Sequence, residues 1–70
     1  MTDIHGLERG DRVIFTNGHE SPVHKVIKDG KYLAVYFTDE YGLDQNFYFF
    51  KSNGVAPQTD YEIVKVVKHV

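Results

Sequence analysis

No cysteine occurs among the 70 residues, which excludes disulfides and thiolate metal sites together. No metal-ligand spacing replaces them, so packing or self-association must supply the stability of a domain this small. No apolar run approaches the roughly 20 residues of a membrane helix, and the opening MTDIHGLERGD has no apolar signal-peptide region. The expectation is a soluble, cytoplasmic protein. Neither sign of charge dominates: eight Lys and Arg against ten Asp and Glu give a net charge of −2. That balance argues against a duplex-DNA binder, whose affinity rests on neutralising phosphates.

The signals for catalysis are equally sparse. Ser21 and Ser52 are the only serines, and neither sits in a nucleophile elbow. GLERGDR lacks both the Lys and the strand-to-helix setting of a phosphate-binding loop. His5, His19, His24 and His69 show no i,i+4 spacing; no metal site and no cofactor is expected. Seventy residues leave little room for a dry pocket with a supporting shell. The chain reads as a protein that is not an enzyme.

What is present is a series of short β segments. Turn signals recur at Asn17-Gly18, Asp29-Gly30 and Ser52-Asn53-Gly54, and the closing DYEIVKVVKHV is rich in β-branched residues. Strands are predicted at about 11–16, 22–28, 31–38, 45–51 and 61–68, with Pro22 at the start of its strand. Asp29-Gly30 predicts a type I′ hairpin. Thr2 or Asp3 caps at most one short N-terminal helical turn, weakened by Gly6 and Gly10. The predicted fold is all-β, one domain over 1–70: a small five-stranded antiparallel SH3-like barrel or strongly curled sheet, since curling removes exposed edges.

Ten residues are aromatic, and QNFYFF at 45–50 places four in succession. Strand parity divides them. Leu33, Val35, Phe37, Phe47 and Phe49 form the natural core face, joined by Val13, Phe15, Ile27 and Ile63. Tyr32, Tyr36, Tyr48 and Phe50 collect on the opposite face, the candidate binding surface. Two other readings stand beside it: cross-strand pairs that only hold the hairpin, or a second small core plugged by Ile4 and Leu7. The acidic connection carrying Asp39, Glu40, Tyr41 and Asp44 offers secondary contacts, against the ordinary reading of a solvated turn. It lacks the carboxylate spacing and glycine of an EF-hand loop.

The succession LERGDRV, NG, DGKY, an aromatic strand pair, a glycine turn and DYEIVKV resembles small phage- or prophage-encoded β proteins of unassigned function. GDRV is similar to the first strand of many SH3-like barrels. The resemblance implies an SH3-like fold and a phage accessory role in the host cytoplasm, and it carries no functional residue with it. The leading expectation is therefore a protein-interaction module that binds or inhibits a host factor, or associates with itself. One alternative is a single-stranded nucleic-acid or nucleotide binder, stacking bases on the same aromatics beside Lys25, Lys28 and Lys31. Another is a structural component of a larger assembly, joined by strand addition.

Overall fold

The computed structural model describes residues 2–38, 41–57 and 61–69. Among them run β1 (Arg12–Phe15), β2 (Glu20–Asp29), β3 (Tyr32–Thr38), β4 (Asp44–Phe50) and β5 (Ile63–Val67). Each lies within about two residues of its predicted span. All pairings are antiparallel, in the order β4-β3-β2-β1-β5. The described residues hold no helix: the N-terminal segment makes one turn, with the Leu7 amide on the Ile4 carbonyl and the His5 amide on Asp3 Oδ1.

The turns follow from local chemistry. Asp29 pairs with Tyr32, which leaves Gly30 and Lys31 as the two central residues of the β2–β3 loop. Gly30 has φ +58 and no described non-glycine residue has positive φ. This is the type II′ pattern, with glycine first, and corrects the expected type I′ turn. At the other two turns Asn17 Oδ1 accepts the His19 amide and Asn53 Oδ1 accepts the Val55 amide.

The expected SH3-like barrel or strongly curled sheet does not form. The sheet is open, β4 and β5 are its two edges, and no ladder joins them among the described residues. One isolated bridge, Val55 to Glu62, lies between them. The physical reason is that irregular chain takes the place of a closing ladder. Ile4, Leu7 and Ala56 are buried in one cluster with Val13, Phe15, Val23, Leu33, Val35, Phe37, Phe49 and Ile63. The N-terminal segment is held there by the Ile4 amide on the Lys51 carbonyl at 2.8 Å. Ile4 and Leu7 therefore plug the main core, not a second core behind the aromatic face.

Phe15 is the hub of that cluster, with its ring 5.0 Å from Phe37, 5.3 Å from Tyr61 and 6.3 Å from Phe49. Phe47 is half buried against Phe37 and Tyr61. The expected core face is thus present with one exception. Ile27 is 42% exposed, because a register shift between Val23 and Lys25 inserts His24 as an extra residue. Beyond that bulge the parity of β2 inverts: Val26 packs on the core and Ile27 turns outward.

Two stability measurements test this packing. Ile4→Ala is expected to cost about 2–4 kcal/mol in urea unfolding, and Ile27→Ala less than about 1 kcal/mol; equal losses would refute the bulge assignment. Gly54 has φ +70, and a Cβ there would lie 2.9 Å from the Ile63 carbonyl oxygen. Gly54→Ala should therefore lower stability by more than about 1 kcal/mol.

Candidate functional site

The bulge in β2 brings three strands into register on the outer face. Lys25, Tyr36 and Asn46 form one row; Ile27, Ala34 and Tyr48 the next; Asp29, Tyr32 and Phe50 the third. All four residues of the expected binding face lie here. Tyr32 is the centre of an aromatic cluster, 4.8 Å from Phe50 and 6.5 Å from Tyr48, edge-on to the latter. Tyr36 shares the face but stands one row beyond that cluster. Tyr48 is 47% exposed, and the tyrosines shield Ala34 almost completely.

Two lysines flank the aromatics. Lys31 Nζ lies over both Tyr32 and Phe50, at 5.4 and 5.6 Å, and Lys25 Nζ lies 5.7 Å from the Tyr36 centroid. Each ammonium faces a ring quadrupole, an attraction of about 0.5–1 kcal/mol at exposed sites. Sequence parity does not give Ile27 to this surface, and it sets the lysines beside stacked bases rather than over the rings of this chain.

The secondary contacts divide. Asp39 and Glu40 lie outside the described residues. Tyr41 is exposed, and Asp44 continues the outer face as the end of a polar chain. His24 Nε2 is 2.9 Å from Thr38 Oγ1, which donates to Asp44 Oδ1 at 3.1 Å. The other histidines are apart: His5 pairs with Asp3, and His19 stacks on Phe15. Among the described residues no group of three His, Asp or Glu could hold a metal ion. Ser21 is buried and donates to the Thr38 carbonyl, a structural bond. An open cleft of about 460 Å³ is lined by Tyr32, Asn46 and Tyr48 of the outer face together with Phe47, Ala56 and Pro57.

The most heavily bonded polar side chain lies elsewhere. Asp11, 1% exposed, accepts the His69 amide on Oδ1, and the Glu8 amide and Lys68 Nζ on Oδ2 at 3.0 and 2.7 Å. Burial pushes its carboxyl up, but the His69 amide, the Lys68 ammonium and the Glu8 amide together outweigh it and hold it below the ordinary carboxylate range. In sequence it is one acid at the start of the first predicted strand, and nothing local announces its role.

Comparison with protein-family models, with curated proteins and with solved structures returns no match. The resemblance to phage-encoded SH3-like proteins is therefore corrected twice over: no relative supports a phage origin or a host target, and the open sheet is not the fold the resemblance implies.

Because the folded-state pKa of Asp11 is depressed, its carboxylate stabilises the fold above the unfolded pKa of about 3.9 and loses that contribution as pH falls through the lower folded value. Thermal melts should show a steeper decline below about pH 4 in the native chain than in Asp11→Asn. The variant should also be less stable at pH 7, by about 2 kcal/mol. Parallel pH curves would contradict this role.

Proposed function

We propose that this small all-β domain is a non-enzymatic protein-interaction module, and that the partner rests on the outer face of β2, β3 and β4. The observation that carries the reading is the continuous surface of Ile27, Tyr32, Tyr36, Tyr48 and Phe50, with Lys25 and Lys31 at its margins. Tyrosines on strands present large, rigid, amphipathic area at low entropic cost, and interface centres favour them. The segment expected to cover this face is spent on the main core, since Ile4 and Leu7 are buried there.

A second reading has one specific observation in its favour. Lys25, besides lying over Tyr36, lines a shallow groove with Arg9 and Lys28 where the N-terminal segment passes β2. Bases stacked on the tyrosines would place a phosphate backbone within reach of these cations. The near-neutral total charge weighs against it, because nothing else draws a polyanion to the molecule.

The test compares the native chain with Tyr36→Ala/Tyr48→Ala. Partners captured by the native chain and then purified should bind the double variant at least about tenfold more weakly, one to two hot spots being removed. Circular dichroism should show both proteins folded. Unchanged affinity in a folded variant would remove the face from consideration. Titration with single-stranded DNA and RNA at low and high salt decides the second reading: outer-face NMR shifts that vanish with salt would favour it over a protein partner.

A further inference from the structure

The two edges of the sheet are finished differently. At β5 the Ile63 amide donates to the Gly54 carbonyl and the Ala56 amide to the Tyr61 carbonyl, so chain already lies along the start of that edge. Lys65 follows within the strand, a common block against further pairing. β4 is longer, holds no proline or lysine, and is uncharged from Gln45 to Phe50.

The hydrogen-bonding sides of β4 can be assigned. Lys51 donates its amide to the Lys31 carbonyl at 3.0 Å, so alternate residues back to Gln45 direct their N–H and C=O groups at β3. Those of Asp44, Asn46, Tyr48 and Phe50 point to the open side. Phe50 is already satisfied, its amide on the Val55 carbonyl and its carbonyl by the Gly54 amide. The main-chain groups of Asp44, Asn46 and Tyr48 find no acceptor or donor there among the described residues, and the open cleft lies beside them.

We propose that a second copy of this chain occupies the β4 edge, antiparallel, with Asn46 opposite Asn46 on a two-fold axis. This register sets Asp44 opposite Tyr48 in both directions, so each outward N–H and C=O that finds no partner among the described residues gains one. A shift of two residues one way would bring Asp44 against Phe50, whose outward groups are taken by Val55 and Gly54, and the other way would set Tyr48 against Gly42, outside the strand. Charge selects the same arrangement. Each Asp44 carboxylate, on the outer face, comes beside the other copy's Tyr48, one row from Phe50 and the Lys31 ammonium above it. The acidic end of one strand thus meets the basic end of the other twice, with uncharged residues between. The two outer aromatic faces become one surface. The pairing goes beyond the proposed function and does not rest on it.

The absence of cysteine gives a direct test. Asn46→Cys should form a covalent dimer under mild oxidation, since a hydrogen-bonded antiparallel pair sets Cα atoms about 5.5 Å apart, within disulfide range. Lys65→Cys on the β5 edge should remain at least tenfold less cross-linked. Sedimentation of the native chain should show a monomer–dimer equilibrium, and Asn46→Pro should raise its dissociation constant at least tenfold. If the proline variant fails to fold, hydrogen exchange of the native chain decides: the Asp44, Asn46 and Tyr48 amides should gain protection as concentration rises. A native chain that stays monomeric, with these amides unprotected at every concentration, overturns the proposal. So does equal cross-linking through Lys65→Cys, or protection that appears only when a peptide of another protein is added. Tyr36→Ala separates the two ideas, since it should weaken partner binding at the face and leave dimerisation unchanged.

Discussion

The Asp11 carboxylate joins stretches of chain that the sheet alone does not hold together. Its oxygens take the Glu8 amide from the N-terminal turn, and the Lys68 ammonium and His69 amide from beyond β5. Its main chain is engaged as well, the amide on the Glu8 carbonyl and the carbonyl accepting the Val23 amide. Lys68 adds a second tie, to the Gly6 carbonyl at 2.6 Å. The N-terminal plug, the entry to β1, the middle of β2 and the end of β5 are thereby fixed around one buried charge. Removing it would leave the Glu8 and His69 amides without their charged acceptor at a buried position, the costly case for a hydrogen bond.

The open sheet makes that knot necessary. A barrel stabilises its last strand by pairing it on both sides, whereas among the described residues β5 has a ladder with β1 alone. Its ends depend on what the flanking chain supplies: Gly54 and Ala56 at one end, Asp11 at the other. The core is likewise capped by Ile4, Leu7 and Ala56 from outside the strands. A chain with no disulfide or metal site among its described residues has placed much of its tertiary specificity in irregular segments.

These are the parts that the sequence leaves hidden. Strand positions were legible because turn chemistry and β-branched runs are local, and the division of Phe47 and Phe49 from Tyr48 and Phe50 was legible because β4 carries no irregularity. Ile27 lies off the face that plain parity gives it because one extra residue at His24 inverts every position after it, and Pro22 beside the bulge reads equally as the start of a strand. Asp11 was missed because its strongest partners lie at the far end of the chain. The expectation of a barrel rests on the rule that small sheets hide their edges. The rule was met by covering the start of β5 with Gly54–Ala56 rather than by joining β5 to β4.

The same rule gives the aromatic face its weight. An exposed aromatic surface and a strand edge whose main chain finds few partners among the described residues are each liabilities, and here both fall on β4 and the strand beside it. Lysine is available to this sequence, for Lys65 stands in the opposite edge and Lys25 and Lys31 rim the outer face. A single lysine in place of Asn46 or Tyr48 would blunt edge and face together without touching the core, because both side chains point outward. The composition of β4 is therefore not forced by packing. Phe47 and Phe49 serve the interior; Asn46, Tyr48 and Phe50 leave the outer side of this strand uncharged, a choice that packing of the core does not require.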